Sequence, residues 1–262
     1  MTITVSIISV PGFAEWRNEA RKLLTARVPP QDVVWNNQGN LQNDMFSRTL
    51  VPTAGNIPNV PKKFLELAET AICHSDEKRF ALLYKILWRL LFENKNLLHL
   101  TTDDDMMELH HMVKSVRRDA YKITAFLRFR EIKHNGEEYF VAWYKPEHYT
   151  LERVTHFFQT RFKNMRWSIL TPYRAAHWDM KELHMEDNPN PDLYPGEDKV
   201  EEYWLGYYAN IFNPARPKKG AMLSQMPKKY WVNMPETKLI PNMLRTAQER
   251  TRDMIEKANG KR

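Results

Sequence analysis

Apolar residues recur every three or four positions through much of this chain and every second position through the rest. Phe13, Trp16, Ala20, Leu23 and Leu24 share one face of a helix over Phe13–Ala26. Val28-Pro29-Pro30 ends it, because proline cannot continue the backbone ladder. Thr2 to Ile8 alternates loosely and predicts a strand, as does the short run Asp32–Trp35. Asn36 to Pro61, rich in Asn, Pro and Gly, reads as loop. A helix from Pro61 to His74 is opened by a proline suited to a first turn. A second, Asp76 to Glu93, places Phe80, Leu83, Tyr84, Leu87, Trp88 and Leu91 on one stripe. Asp103-Asp104-Asp105 puts negative charge where a helix begins. Beyond it, Met106, Leu109, Val113, Val116, Ala120 and Ile123 form the most regular apolar seam of the chain.

The period then changes. Ala125 to Ile132 alternates as a strand, Asn135-Gly136 is a two-residue hairpin signal, and Tyr139 to Tyr144 returns. That turn sets Ile132 opposite Tyr139, Arg130 opposite Val141 and Arg128 opposite Trp143, all on one face. Leu127, Phe129, Phe140, Ala142 and Tyr144 occupy the other face, which is apolar apart from Glu131 and is expected to pack on helices. A helix over Tyr149–Phe162 and a strand at Trp167–Leu170, ended by Pro172, complete a β-β-α-β unit. Residues 186–200 read as a linker, followed by a helix at Glu201–Ile211, an irregular Pro-rich basic connection, and a helix at Lys238–Lys257. The expected class is α+β, mostly helical, with a small central antiparallel β-hairpin-helix-strand sheet packed on helices. Its expected segments are 1–60 (strand, helix and loop), 61–124 (helical), 125–178 (β-β-α-β core), 179–200 (acidic linker) and 201–262 (basic helical module).

Composition supports a folded chain: 42% of the 262 residues are apolar, with eight Trp, eleven Tyr and twelve Phe. No apolar run approaches the ~18 residues that cross a bilayer, so no membrane partner is expected. Nothing at the start resembles a signal peptide, and the single Cys73 excludes an internal disulfide or an all-cysteine metal site, which together predict a cytoplasmic location. Charge is unevenly spread. Residues 1–112 carry 12 basic and 13 acidic side chains, 113–174 carry 13 and 6, 175–212 carry 2 and 9, and 213–262 carry 12 and 4. Two basic blocks flanking an acidic connector suit a shared polyanion; a solvated surface without a partner is the plainer reading.

Several runs then converge on one resemblance. They are Arg79-Phe80-Ala81-Leu82-Leu83-Tyr84 with Leu87-Trp88-Arg89, Val116-Arg117-Arg118-Asp119, and Ala125-Phe126-Leu127-Arg128-Phe129-Arg130. Phe157-Phe158, Arg161-Phe162, Met165 to Pro172 and His177-Trp178-Asp179 follow, then Tyr207 to Arg216 and Met226 to Trp231. Together they resemble the DNA-metabolism domain found fused to, or encoded beside, UdgX-type uracil-DNA glycosylase-like proteins, and beside a radical-SAM repair protein. The resemblance implies a bacterial DNA-repair setting with one of those proteins as partner. The chain differs at Tyr121-Lys122-Ile123, where that family favours His-Lys-Met, so no role of that histidine carries over. With eight glycines and no Gly-rich active-site run, it cannot supply glycosylase chemistry itself.

Candidate sites divide into binding and catalysis. Arg128, Arg130, Tyr139 and Trp143 could form a platform where arginine meets phosphate and an aromatic ring stacks on a base; Arg128 stacked on Trp143 within one domain is the structural alternative. That face is expected to lie outside the core. Arg216, Lys218, Lys219, Lys228, Lys229, Tyr230 and Trp231 form a second basic and aromatic segment, kept irregular by Pro214, Pro217 and Pro227. Arg117 and Arg118 diverge by about 100° on a helix, so they cannot both serve one contact, and one is expected in a structural ion pair. His110 and His111 read as surface residues. His148 and His177, the latter with Asp179, each follow a proline and could converge as an acid–base group; turn-stabilising hydrogen bonds are the alternative. Glu182, Glu186 and Asp187 read as solvated charge. No Walker loop, metal-ligand spacing or nucleophile elbow is present, and no cofactor is expected. Three functions follow in order: a DNA-binding accessory of repair, an enzyme acting on a modified nucleotide, and a protein–protein adaptor.

Overall fold

A computed structural model describes residues 2–37, 59–134, 137–187, 189, 219–247, 251–252 and 256. The chain divides into two compact units, Met1–Tyr121 with Pro146–Thr150, and Lys122–Lys145 with Leu151–Arg262. The expected α+β class holds.

In the first unit, strands β1 (Ile3–Ile7) and β2 (Val33–Asn37) pair in parallel from Ile3↔Val33 to Ile7↔Asn37. Parallel neighbours need a crossover, and helix α1 (Phe13–Thr25) supplies it. Gly12 precedes α1 at φ 83°, where a Cβ would come within 2.6 Å of both Ile7 Cγ2 and the Ser9 carbonyl oxygen; only glycine fits. The Glu15 carboxylate reaches back to accept the Ile8 and Ser9 N–H groups at 2.8–3.1 Å, satisfying donors in the turn between β1 and α1. Helices α2 (Lys62–Ala71), α3 (Arg79–Phe92) and α4 (Asp104–Phe126) follow. Trp16, Leu23, Phe64, Phe80, Leu83 and Tyr84 are fully or almost fully buried, and the α4 seam joins them through Met106, Leu109, Val113 and Val116.

The second unit holds a five-stranded sheet in sequence order: β3 (Arg130–His134), β4 (Glu137–Trp143), β5 (Trp167–Leu170), β6 (Arg174–Trp178) and β7 (Leu183–Asp187). Arg130↔Val141 and Ile132↔Tyr139 pair as the hairpin register requires; the turn residues Asn135 and Gly136 lie outside the described residues. Helix α5 (Leu151–Arg161) carries the chain from β4 to β5, so those two strands run parallel and the sheet is mixed.

Four differences from the sequence reading have physical causes. First, α4 runs to Phe126 and removes the start of the expected first hairpin strand. Leu127 N–H bonds Ile123 O at 3.0 Å, and Arg128 Nη1 donates to Ala125 O and Leu127 O at 3.1 and 3.2 Å, so the residue expected opposite Trp143 instead closes a helix end. Second, β7 occupies the beginning of the expected acidic linker, paired with β6 from Arg174↔Asp187 to Trp178↔Leu183. Third, both faces of the sheet are buried at their centre. Phe158 and Phe162 of the α5 region pack with Phe129, and Phe158 with Trp167, on one face; Val141, Leu170 and Ala175, with Ile132 and Tyr139, form a core cluster on the other. The arginine-bearing face is therefore core at its middle and accessible at its margin. Fourth, the Pro-rich basic connection is helical where described: α6 (Lys219–Gln225), 3₁₀ turns at Lys228–Asn233 and Pro235–Leu239, then α7 (Ile240–Arg245). The helix expected at Glu201–Ile211 lies outside the described residues. Among the described residues, no helix is long and apolar enough to cross a membrane.

Candidate nucleic-acid interface

At the margin of the sheet, β3 and β4 present Arg130 and Trp143 to solvent, Trp143 with 42% of its surface exposed. Because Arg130 faces Val141, Trp143 is its diagonal neighbour on the same face, a spacing of about 7–8 Å that long side chains span. Tyr139, on that face too, is half-buried, with its phenol bonded to Ser168 Oγ at 2.8 Å. Arg128 is committed to the α4 terminus.

In the C-terminal segment, Lys228 and Lys229 are exposed, Tyr230 is buried and Trp231 is half-buried. Tyr230 is buried against Phe126, ring centroids 5.5 Å apart, and Trp231 Nε1 donates to Met226 O at 3.0 Å. The ammonium groups of Lys228 and Lys229 lie 5.9 and 5.2 Å from the Trp231 and Tyr230 ring centroids. The aromatics anchor the 3₁₀ turn and the lysines project from it. Lys219 is the first residue of α6; Arg216 and Lys218 lie outside the described residues. Arg117 is exposed on α4, as is Arg118, and neither makes an ion pair among the described residues, contrary to the expectation for one of them. His110 and His111 are exposed there as expected.

The histidines fall in separate units, His148 in the first, His177 and Asp179 in the second. His148 is buried at the centre of a polar cluster. Its Nδ1 accepts the Ser75 N–H at 3.2 Å, and its Nε2 lies 2.8 Å from Ser115 Oγ, so the imidazole carries its hydrogen on Nε2 and donates to the serine. His74 stacks on it, centroids 4.2 Å apart; burial, then the charge His148 would carry, lower the His74 pKa to about 4. Asp119, buried on α4, accepts the N–H groups of Glu147 and His148 at 3.2 and 3.0 Å and the Thr150 hydroxyl at 2.9 Å. Burial pushes its carboxyl above the ordinary range against the pull of these bonds. Arg79 is fully buried beside this cluster. Its guanidinium lies over the Phe80 and Tyr149 rings at 4.0 and 5.3 Å and gives Nη1–H to Asp76 O, while Nε and Nη2 lack a hydrogen-bond partner. Burial lowers its pKa.

In the second unit, His177 bridges strands. Its Nδ1 is hydrogen-bonded to Ser168 Oγ and its Nε2 lies 3.0 Å from Glu186 Oε2. Tyr139, Ser168, His177 and Glu186 thus form one chain of polar groups across β4 to β7. Ser168 is fully buried, so its hydroxyl is not placed to attack a substrate. Asp179 is elsewhere in purpose: its Oδ1 accepts the Lys181 and Glu182 N–H groups, both at 2.7 Å, closing the β6–β7 turn. Glu186 and Asp187, expected as solvated charge, bond His177 and Arg174, the latter at 2.7 Å. Among the described residues, no group of three His, Cys, Asp or Glu gathers to hold a metal. An open cleft of about 780 Å³ between α3 and the start of α4 contains Arg89, Lys85, Asp103 and Asp105, whose charges are consumed by pairing with one another at 2.6–2.8 Å.

The sequence reading gave Asp119 and Ser168 no site role and took Glu186 as solvated charge. Asp119 stood in plain view inside the apolar α4 seam, on its buried side, and a lone carboxylate there is a signal for buried donors nearby. The unit pairing of β4 through β7 defines an α+β chain with a helix-crossed mixed sheet. The chain belongs to the family described as a domain of unknown function, DUF4130, which matches residues 77–236 and so takes in Arg79, Asp119, His148, Ser168 and His177. No curated protein and no solved structure matches the chain.

Proposed function

We propose that this chain is a nucleic-acid-binding accessory protein of bacterial DNA repair or DNA metabolism, acting with a UdgX-type glycosylase or a radical-SAM protein. The reading is supported by the resemblance in the sequence runs and by the basic blocks at 113–174 and 213–262. The observation that carries it is the exposed Arg130 and Trp143 on one face of adjacent strands, a cation beside a ring accessible to an unpaired base. Base stacking on such a ring is worth about 1–3 kcal/mol, or roughly five- to 150-fold in affinity. Trp143→Ala in the full chain is expected to weaken binding of a fluorescent single-stranded oligonucleotide by that factor, read by anisotropy, and Arg130→Gln to reduce its salt dependence by the share of about one phosphate. Unchanged affinity in both variants sinks the reading of this site.

A second reading, an enzyme acting on a modified nucleotide, draws on His177 held between a hydroxyl and a carboxylate. Incubation with lesion-bearing oligonucleotides tests it: a product formed by the wild-type chain and lost in His177→Ala, with binding retained, favours catalysis.

A further inference from the structure

Helix α4 has two chemically different halves. Its first turn holds Asp104 and Asp105, and with Asp103 just before them these acids are partly neutralised from within, by Arg89 and Lys85. Its later half exposes Lys114, Arg117 and Arg118, none of which has an ion pair among the described residues. From Leu109 to Arg130 the sequence contains one acid, Asp119, and that side chain is buried and occupied by three donors. The helix macrodipole does not account for these cations, because it favours positive charge within the last turn and they lie about two turns earlier. They are uncompensated by anything the described protein supplies.

Their angular arrangement says what they fit. At about 100° per residue, Lys114 marks the centre of the exposed arc, with Tyr121 within about 20° of it. Arg117 and Arg118 fall on opposite flanks, about 60° to one side and about 40° to the other. The divergence that prevents the two arginines from sharing one phosphate lets them reach two. A helix of about 10–12 Å diameter matches the major groove of B-form DNA, about 12 Å wide, whose two walls are phosphate strands. Tyr121, 66% exposed, lies on the part of the arc that would face the groove floor. A single strand offers one line of phosphates and leaves one flank unused.

We propose that the exposed arc of α4 centred on Lys114, with Arg117 and Arg118 on its flanks, is a docking face for the major groove of duplex DNA. It rests on the reading of the chain as nucleic-acid-binding, and it adds a duplex contact in the first unit to the unpaired-base contact assigned to the second. The partner strand chemistry is double-helical phosphate on both sides of one helix.

The test uses the full chain and a duplex of about 20 base pairs, longer than one helical turn of about 10, with a single strand of equal length beside it, across a salt series. Lys114→Gln with Arg117→Gln and Arg118→Gln is expected to reduce the slope of log affinity against log salt on the duplex by roughly 2–3, about 0.9 for each phosphate no longer neutralised. On the single strand, which meets one flank only, the same variant is expected to lower the slope by about 0.7–1.4, clearly less than on the duplex. A charge-preserving variant, Lys114→Arg with Arg117→Lys and Arg118→Lys, should keep most of the slope, separating charge from damage to the fold. If the wild-type chain binds duplex and the glutamine variant leaves its slope intact, the α4 face is refuted while the accessory reading stands. If the slope falls equally on duplex and single strand, the groove assignment is refuted. If the wild-type chain binds neither nucleic acid, both this inference and the accessory reading fall.

Discussion

Each unit ties a histidine into a polar network, buried in the first and only partly buried in the second, and they use it differently. In the first, the His148 ring is enclosed, and the adjacent carboxylate of Asp119 spends its acceptor capacity on two backbone N–H groups and a hydroxyl. In the second, His177 belongs to a chain that begins at a buried serine and ends at Glu186, whose side chain is half exposed. The first arrangement fastens a backbone segment and is read as architecture. The second connects a buried hydroxyl to a half-exposed carboxylate across neighbouring strands. The difference shows that a histidine after a proline says nothing by itself; the fate of its second nitrogen decides.

The sharpest break of this contrast is Asp119→Ala. Three donors lose their acceptor in a buried setting, and the expected loss is about 3–5 kcal/mol of stability, seen as a lower urea midpoint. Asp119→Asn keeps an acceptor and should lose less. Ser168→Ala tests the second network: the Tyr139 hydroxyl and His177 Nδ1 lose a common partner, for an expected cost of about 1–2 kcal/mol in the same titration. A larger loss from Ser168→Ala than from Asp119→Ala would invert the comparison.

A further test of the first unit comes from pH. His74 titrates near 4 in the folded chain against about 6.5 unfolded, so the unfolded chain binds more protons between those values. Stability is then full above about pH 6.5 and declines as pH falls toward 4. Thermal melting at about pH 7.5 and about pH 5, on either side of the unfolded value, should show the decline, and His74→Gln should make it shallower. Equal slopes in both proteins would remove His74 as the source.

How much of this was legible follows from which forces are local. The α3 stripe and the α4 seam were readable because burial repeats at the helical period, and Trp167–Leu170 because four consecutive buried residues bounded by a proline read as strand. The hairpin register was fixed by its turn dipeptide alone. By contrast, β6 and β7 were invisible: Arg174–Trp178 mixes two small residues with a histidine, and Leu183–Asp187 is acidic and half exposed at the sheet margin. Their strand character comes from the neighbours they pair with. The end of α4 misled for a similar reason, since Phe126 and Leu127 satisfy both a helix and an alternating pattern, and carbonyl capping by Arg128 decided between them. At the candidate site, exposed Arg130 and Trp143 were recoverable from alternation, whereas the core character of the face between them needed the tertiary structure.

The short stretch Pro146–Thr150 interrupts the second unit in sequence while belonging to the first. Severing the polypeptide after Tyr121 would therefore not liberate two self-sufficient pieces. The leading piece would keep the Asp119 carboxylate and forfeit all three groups it binds, and the trailing piece would carry a loop whose anchor had been left behind. Anyone trimming this protein to a minimal fragment should expect the break point, more than the fragment's length, to govern whether soluble material is recovered.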